Sequence, residues 1–285
     1  MAVENYKDLW WEGRDGLRLH AYDHGALDAS KTLVIVHGYG EHAGRYHAHA
    51  ARFVQAGYRV IAVDVRGHGK SEGRRGHTMD FEFYLDDLDR LAEQIQTPRE
   101  ATGMLGHSHG GLITLRRSLV EPTFFSVCAV TSPMLGLSVK VPAWKLFAGR
   151  LLSKLMPTVS FPSSIVPEHL SHDPAVVAAY ATDTLGHKVD NARWFTEAMD
   201  AIELVFRDAG RARIPTLVVQ SGDDKLVSAE AARQWAGAAP SSVVQYEEVD
   251  GAYHELLFEL DGATHGERLL RYFESHLQNS DGADA

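Results

Sequence analysis

The sequence predicts an α/β protein with a doubly wound, mostly parallel central sheet and helices on both faces. Short, almost continuously apolar runs recur along the chain: Leu33-Val34-Ile35-Val36, Val60-Ile61-Ala62-Val63, Val127-Cys128-Ala129-Val130 and Thr216-Leu217-Val218-Val219, with Met104-Leu105 and Val243-Val244 as weaker ones. Strands apolar on both sides belong in the middle of a parallel sheet covered by helices. Between them lie helix-periodic segments, His47 to Ala56, Phe81 to Gln96 and Ala229 to Ala236, so strand and helix alternate. The third observation is the stretch Met104 to Ile113, where an apolar strand enters Gly106-His107-Ser108-His109-Gly110 and passes at once into a helical segment, Gly111 to Arg117.

The chain opens with Leu9-Trp10-Trp11 and Leu17-Arg18-Leu19-His20-Ala21 around Arg14-Asp15-Gly16. This reads as a β-hairpin closed by an Asp-Gly turn, and hence as an antiparallel edge. The alternation is interrupted once, by about 85 residues without a clear central strand between Val130 and Thr216, far more than one crossover needs. Leu137 to Arg207 is therefore read as an inserted helical cap, with residues 1–136 and 208–285 forming the core domain. No Asp or Glu occurs from Pro122 through Pro167, while Lys140, Lys145, Arg150 and Lys154 accumulate there. In Trp144 to Met156, helical spacing puts Trp144, Phe147, Ala148, Leu151 and Leu155 on one face. Such a helix can rest on a lipid surface, line an acyl groove, or pack on the core with its lysines in water.

A chain of 285 residues can bury a sizeable core as one domain, or as one domain with an insertion. Its 45 % hydrophobic content and mean hydropathy of -0.21 suit a globular protein in water. The sequence has no apolar run of about 18 residues and no signal-peptide pattern at its start, so cytoplasmic residence is the default expectation. Cys128 is the only cysteine, which rules out an intrachain disulfide, and its apolar surroundings mark a buried strand residue. The formal net charge of -10 argues against nonspecific nucleic-acid binding.

Gly-x-Ser-x-Gly between a strand and a helix is the pattern of a nucleophile elbow, in which a strained turn projects the serine from the carboxyl end of the sheet. A serine hydroxyl attacks well only when an imidazole takes its proton and a carboxylate fixes that imidazole. After Ser108, Asp224 leaves a late strand and is followed by Lys225-Leu226-Val227; it is preferred over Asp223, which reads as a turn residue. Among 16 histidines, His254 has the right place, after the last strand in Gly251-Ala252-Tyr253-His254. His265 and His276 fall in or beside the terminal helix and read as surface residues. Two backbone donors are expected to form an oxyanion hole: the amide of His109, opening the helix after the serine, and that of Tyr39, set between Gly38 and Gly40. His37 is read as holding that loop. The pairs His107/His109 and His37/His42 suggest a metal site less well, because zinc would leave the serine, the loop and the late Asp and His without a role.

With these residues in place, His37-Gly38-Tyr39-Gly40-Glu41-His42-Ala43-Gly44-Arg45-Tyr46 resembles the His-Gly-x-Gly-Glu-His-x-x-Arg-Tyr signature of monoacylglycerol lipases and the related serine aminopeptidase-like, or lysophospholipase-like, hydrolases. Asp64-Val65-Arg66-Gly67-His68-Gly69-Lys70-Ser71 and the Gly251 to His254 segment resemble two further motifs of the group, and the resemblance covers nearly the whole chain. It implies an α/β-hydrolase fold with a mobile cap over an acyl channel, and Ser108, Asp224 and His254 as the catalytic triad. Glu41 and Arg45 are implied near the alcohol side, Trp144, Phe147 and Leu151 as cap residues for the acyl chain, and Asp64 to Ser71 as structural. Two positions depart from the pattern. His109 stands where Met is frequent, and Leu257 replaces a polar residue placed near the glycerol, which opens the site to other leaving groups. The expected activity is hydrolysis of monoacylglycerols through an acyl-enzyme, without metal or cofactor. The alternatives are a general carboxylesterase or lysophospholipase, and, from another class, a noncatalytic binding protein of the same fold. The expected partner is a small lipid ester, with peripheral membrane contact through the cap.

Overall fold

The computed structural model describes residues 6–139, 143–163 and 165–277, with the backbone alone at residues 143 and 145–147. In chain order the elements are β1 (Tyr6–Glu12), β2 (Arg18–His24), β3 (Lys31–Val36), α1 (His47–Gln55), β4 (Tyr58–Asp64), α2 (Glu82–Ile95), β5 (Thr102–His107), α3 (His109–Ser118) and β6 (Val127–Thr131). There follow α4 (Ala143–Leu155), β7 (Ser160–Pro162), α5 (Pro174–Thr182), β8 (Val189–Asn191), α6 (Ala192–Arg207), β9 (Thr216–Ser221), α7 (Ala229–Ala238), β10 (Val244–Val249) and α8 (Gly262–His276).

Among the described residues eight strands form one sheet in the order β1-β2-β4-β3-β5-β6-β9-β10. The hairpin β1/β2 is antiparallel, in register Trp11 to Leu19, and β2 runs antiparallel to β4; all pairs from β4 to β10 are parallel. The hairpin therefore forms the antiparallel edge read from its Asp-Gly turn, with Gly16 at φ 82°. Each apolar run supplies both faces of its strand. Val34, Val36, Met104, Cys128 and Val218 face α2, α3, α6 and α7, while Leu33, Ile35, Leu105, Ala129 and Leu217 face α1 and α8. Burial raises the Cys128 thiol to about 12, consistent with an inert core residue.

Chain order reverses at β3, whose neighbours are β4 on one side and β5 on the other. The crevice outside the carboxyl ends of strands at such a reversal is where open α/β sheets bind ligands. Here it lies between the loop after β3 and the turn after β5.

The interval between β6 and β9 contributes no strand to this sheet; β7 and β8 pair separately, antiparallel. The Leu137 to Arg207 stretch, expected to be one cap, divides into two parts. Its last helix, α6, carries Ala198, Ala201, Ile202 and Val205 into the same apolar cluster as Leu112 of α3 and Trp235 of α7. Burying Ile202 and Val205 stabilises that packing by about 1.5–3 kcal/mol each. The amphipathic face of α6 thus joins it to the core, whereas the exposed face of α4 lies outside. Among the described residues no helix is long and apolar enough to cross a membrane.

Gly110 fixes how closely α3 approaches β3, because a Cβ there would collide with the carbonyl oxygens of Val36 and His37. Gly110→Ala is expected to destabilise the fold by about 1–3 kcal/mol, read as a lower urea midpoint at unchanged slope. An unchanged midpoint would show that the sheet and helix can separate without cost.

Candidate active site

Ser108 is the residue between β5 and α3, with φ 51° and ψ -113°. Positive φ costs a residue with a Cβ and persists where surrounding structure holds it. Three backbone bonds do so: the Ser108 amide donates to Thr131, and its carbonyl accepts from Leu112 and Met134, all at 2.9–3.0 Å. The flanking glycines permit the tight turn, since a Cβ on Gly106 would strike the Gly110 carbonyl and Thr114 Oγ1.

The turn directs the Ser108 hydroxyl to His254, with Oγ 2.9 Å from Nε2, and the other ring nitrogen of His254 lies 2.7 Å from Asp224 Oδ2. Asp224 Oδ1 accepts from the amides of Leu226 and Val227 at 2.8 and 3.0 Å, so the Asp-x-x-Val turn aims the carboxylate. Burial alone would raise the Asp224 carboxyl, but the charge and hydrogen bond of His254, helped by those two amides, hold it below its ordinary value. For His254 burial pushes downward, and the Asp224 carboxylate, with Glu255 and Glu41, raises it above the usual imidazole range. The serine proton thus faces a basic ring nitrogen in a site from which water is largely excluded: Ser108 is 8 % exposed and His254 5 %. Asp223 is exposed, and its amide donates to Ala252, a turn role.

The loop after β3 faces this row. Its conformation is set by Glu41, whose Oε1 accepts from the Gly38 amide at 2.5 Å and from the Tyr46 hydroxyl at 2.9 Å. Arg45 donates to Glu41 at 2.7 Å and forks onto both oxygens of Glu255 at 2.7 and 2.6 Å. Burial would raise the Glu41 carboxyl; Arg45, with His107 and His37, brings it down to about 2. His37 accepts from the Val65 amide through Nε2 and donates from Nδ1 to the Gly38 carbonyl, so it holds the loop. Asp64 accepts from the amides of Ala43 and Lys70 and from His20, which ties the loop to the turn after β4. Tyr39 sits at the centre of the loop, and the His109 amide is the first of α3.

The expected residues are distributed as follows. Ser108, His254 and Asp224 form one hydrogen-bonded row, and Tyr39 and His109 lie beside it. Glu41 and Arg45 line a small pocket with Tyr180, Asp183, His187 and Lys188, while their charges are paired with each other and with Glu255. His42 bonds to Asp183, and His107 lies against Thr131 and the ring of His254. Trp144 and Leu151, expected along an acyl channel, are corrected: they are 67 % and 50 % exposed on the outer face of α4, which packs on α6 and pairs Arg150 with Asp200. The Phe147 side chain, Lys140 and the Lys145 side chain lie outside the described residues. His265 is a second correction, 3 % exposed, because the i, i+4, i+7 spacing with Leu269 and Tyr272 turns it inward on α8. Glu255 and Trp194 were missed. Glu255 carried a signal, its place beside His254; Trp194, whose indole nitrogen donates to His109 Nε2 at 2.8 Å, looked like any apolar residue of an amphipathic helix.

A fluorophosphonate reports the reactivity of the serine directly. Its rate of labelling Ser108 is expected to rise with pH as His254 becomes neutral, with a midpoint above the ordinary 6.5 because Asp224 stabilises the charged ring. Asp224→Asn should lower both the rate and the midpoint. A wild-type midpoint at or below 6.5 would contradict the electrostatic reading.

The serine aminopeptidase S33 family matches residues 28–261. An abhydrolase domain-containing protein of Dictyostelium discoideum is 33 % identical over 255 residues; these are 87 % of this chain and 27 % of that longer protein, so the chain spans about a quarter of its length. A phospholipase of Bacillus subtilis, YtpA, is 30 % identical, covering 80 % of this chain and 89 % of its own. A monoacylglycerol lipase of Mycolicibacterium smegmatis is also 30 % identical, covering 88 % and 90 %. The crystal structure of the Paleococcus ferrophilus monoacylglycerol lipase superposes with a TM-score of 0.84 at 28 % identity, covering 90 % of this chain and 99 % of that one. The chain therefore belongs to the serine aminopeptidase S33 family, with the α/β-hydrolase fold of its monoacylglycerol lipase relatives.

Proposed function

We propose that the protein is a serine ester hydrolase that cleaves monoacylglycerols through an acyl-enzyme on Ser108. The observation that carries this reading is the row from Ser108 Oγ through His254 to Asp224 at 2.9 and 2.7 Å, set on a strained elbow. His254 Nε2 takes the Ser108 proton as Oγ attacks the ester carbonyl carbon. The negative oxygen of the tetrahedral intermediate accepts from the amides of Tyr39 and His109, each donor typically worth about 10²–10³ in rate. Collapse breaks the carbon–alkoxide bond, and the proton on His254 goes to the leaving alcohol. A water then gives its proton to His254, attacks the acyl carbon and releases the fatty acid, with the proton returned to Ser108. The residues named account for every proton transfer. The relatives named for monoacylglycerol hydrolysis support the substrate class. The phospholipase relative favours lysophospholipids as the second reading. Glu41 and Arg45, at the small pocket, are assigned to the alcohol side.

The same reading gives the outer face of α4 a place. Trp144, Leu151 and Leu155 share one side of that helix and are exposed, with Met156 next to them. We assign this face to the lipid surface from which a single-chain ester is drawn.

Hydrolysis of monoacylglycerols from C8 to C18, alongside lysophosphatidylcholine and p-nitrophenyl acetate and butyrate, tests the substrate. Preference for the monoacylglycerols is expected. Faster turnover of the lysolipid would assign the second reading, and turnover of the short esters alone would make the protein a small-substrate esterase. Ser108→Ala should lose on the order of 10⁴-fold or more in kcat; near-normal turnover would remove the mechanism. Trp144→Ser with Leu151→Ser should slow hydrolysis of vesicle-borne substrate several-fold while leaving p-nitrophenyl butyrate unaffected. Equal effects on both would detach α4 from the lipid.

A further inference from the structure

The two residues assigned to the oxyanion hole are held at their side chains by the same short stretch of chain, residues 189–194. Tyr39 extends its hydroxyl to the Gly76 carbonyl at 2.9 Å and the Val189 carbonyl at 3.1 Å, and accepts from the Asn191 amide at 3.3 Å. Its ring lies against the indole of Trp194, with centroids 3.5 Å apart and planes 21° from parallel. The indole N–H of Trp194 donates to His109 Nε2 at 2.8 Å. Asn191 locks the stretch itself, since its side chain accepts from the amides of Arg193 and Trp194 and caps α6.

From this juxtaposition we infer that Trp194 is a positioning residue, whose indole braces Tyr39 by its face and His109 by its N–H and so aligns the two oxyanion-hole amides. This rests on the reading of Ser108 as the nucleophile and of those amides as its oxyanion donors. A ring anchored at its far end limits rotation at its own Cα, and hence the direction of its own N–H. Oxyanion donors act only when held within about 0.5 Å of the productive geometry. The brace is electrically consistent. Burial first, then His37 and His187, lowers His109 to about 3, so its ring is neutral and Nε2 presents a lone pair. The hydrogen bond fixes the Nδ1–H tautomer. Trp194 is 5 % exposed, so water does not compete for the bond. Both braced side chains lead to α6 and the strand before it, so the oxyanion hole is complete only while residues 189–194 are seated on the core.

A residue that merely fills space would cost stability when altered, and kcat would follow only through the folded fraction. A positioning residue separates kcat from KM. Trp194→Phe keeps the stacking surface and deletes the hydrogen bond. It is expected to lower kcat on p-nitrophenyl butyrate about tenfold, the scale of one buried hydrogen bond, with KM within about twofold of wild type. Affinity for a trifluoromethyl ketone, whose adduct places an oxyanion in the hole, should fall by the same factor as kcat/KM. In a His109→Met background the acceptor is already gone, so adding Trp194→Phe should change kcat by less than about twofold. Wild-type kcat in Trp194→Phe, or an equal loss in both backgrounds, would overturn the inference. Its failure is distinct from failure of the mechanism, because the latter appears as activity in Ser108→Ala and the former as full activity in Trp194→Phe while Ser108→Ala is inactive.

Discussion

The site depends on one local constraint, the positive φ of Ser108. A serine held at φ 51° returns to a relaxed conformation unless the elements on both sides are fixed, and the fixing is done by the sheet. β5 lies between β3 and β6, so its end cannot move without breaking two parallel ladders. α3 is pressed against the end of β3 at Gly110, where no side chain fits. The strain at Ser108 is therefore supported by packing far larger than itself. The same packing sets α3 against β3 and brings the His109 amide close to the loop that carries Tyr39.

Around this elbow the loops are held by buried charge. Glu41, Arg45 and Glu255 form a chain from the loop after β3 to the residue next to His254, and each is almost wholly buried. A buried ion pair contributes little net stability compared with apolar replacement, but removal of one partner leaves the other uncompensated at about 3–5 kcal/mol. Such a network favours a single arrangement over its neighbours. It ties down the Gly38 amide, next to Tyr39, and Glu255, next to His254, which loose loops over an apolar floor would not do. Asp64 performs the same service on the other side, with three donors converging on one carboxylate.

Much of this was legible in the sequence because it rests on local rules. Strands buried on both faces read as nearly continuous apolar runs, and the elbow needs small residues two positions to each side of its serine. Asp224 and His254 were found by position after late strands rather than by residue type. The parts that were not legible depend on which element faces which. The apolar stripe of α4 reads the same whether it points inward or outward. In the structure the stripe points outward, while Arg150 pairs at the surface with Asp200 and Glu203 of α6. Trp194 has helical spacing with Ala198, Ala201 and Val205 and reads as core; only the structure shows that its one polar atom meets His109.

The two ends of the inserted segment thus differ in physical character. Arg150 is about half exposed in its pairs with Asp200 and Glu203, and exposed pairs contribute about 0–1 kcal/mol. Full burial of a leucine side chain stabilises by about 1.5–3 kcal/mol, and Leu155 at 72 % and Leu151 at 50 % exposure forgo much of it, as does Trp144 at 67 %. The outward stripe is therefore not explained by the stability of the isolated chain, and it is this face that we assign to the lipid surface. α6 has the opposite balance, with its apolar face inside the core and its first turn braced against Tyr39 and His109. On the proposed reading, a segment anchored at that end and apolar at the other would meet lipid through α4 while the α6 end holds Tyr39 and His109 in place. That reading would give substrate capture and charge stabilisation to different ends of one insertion.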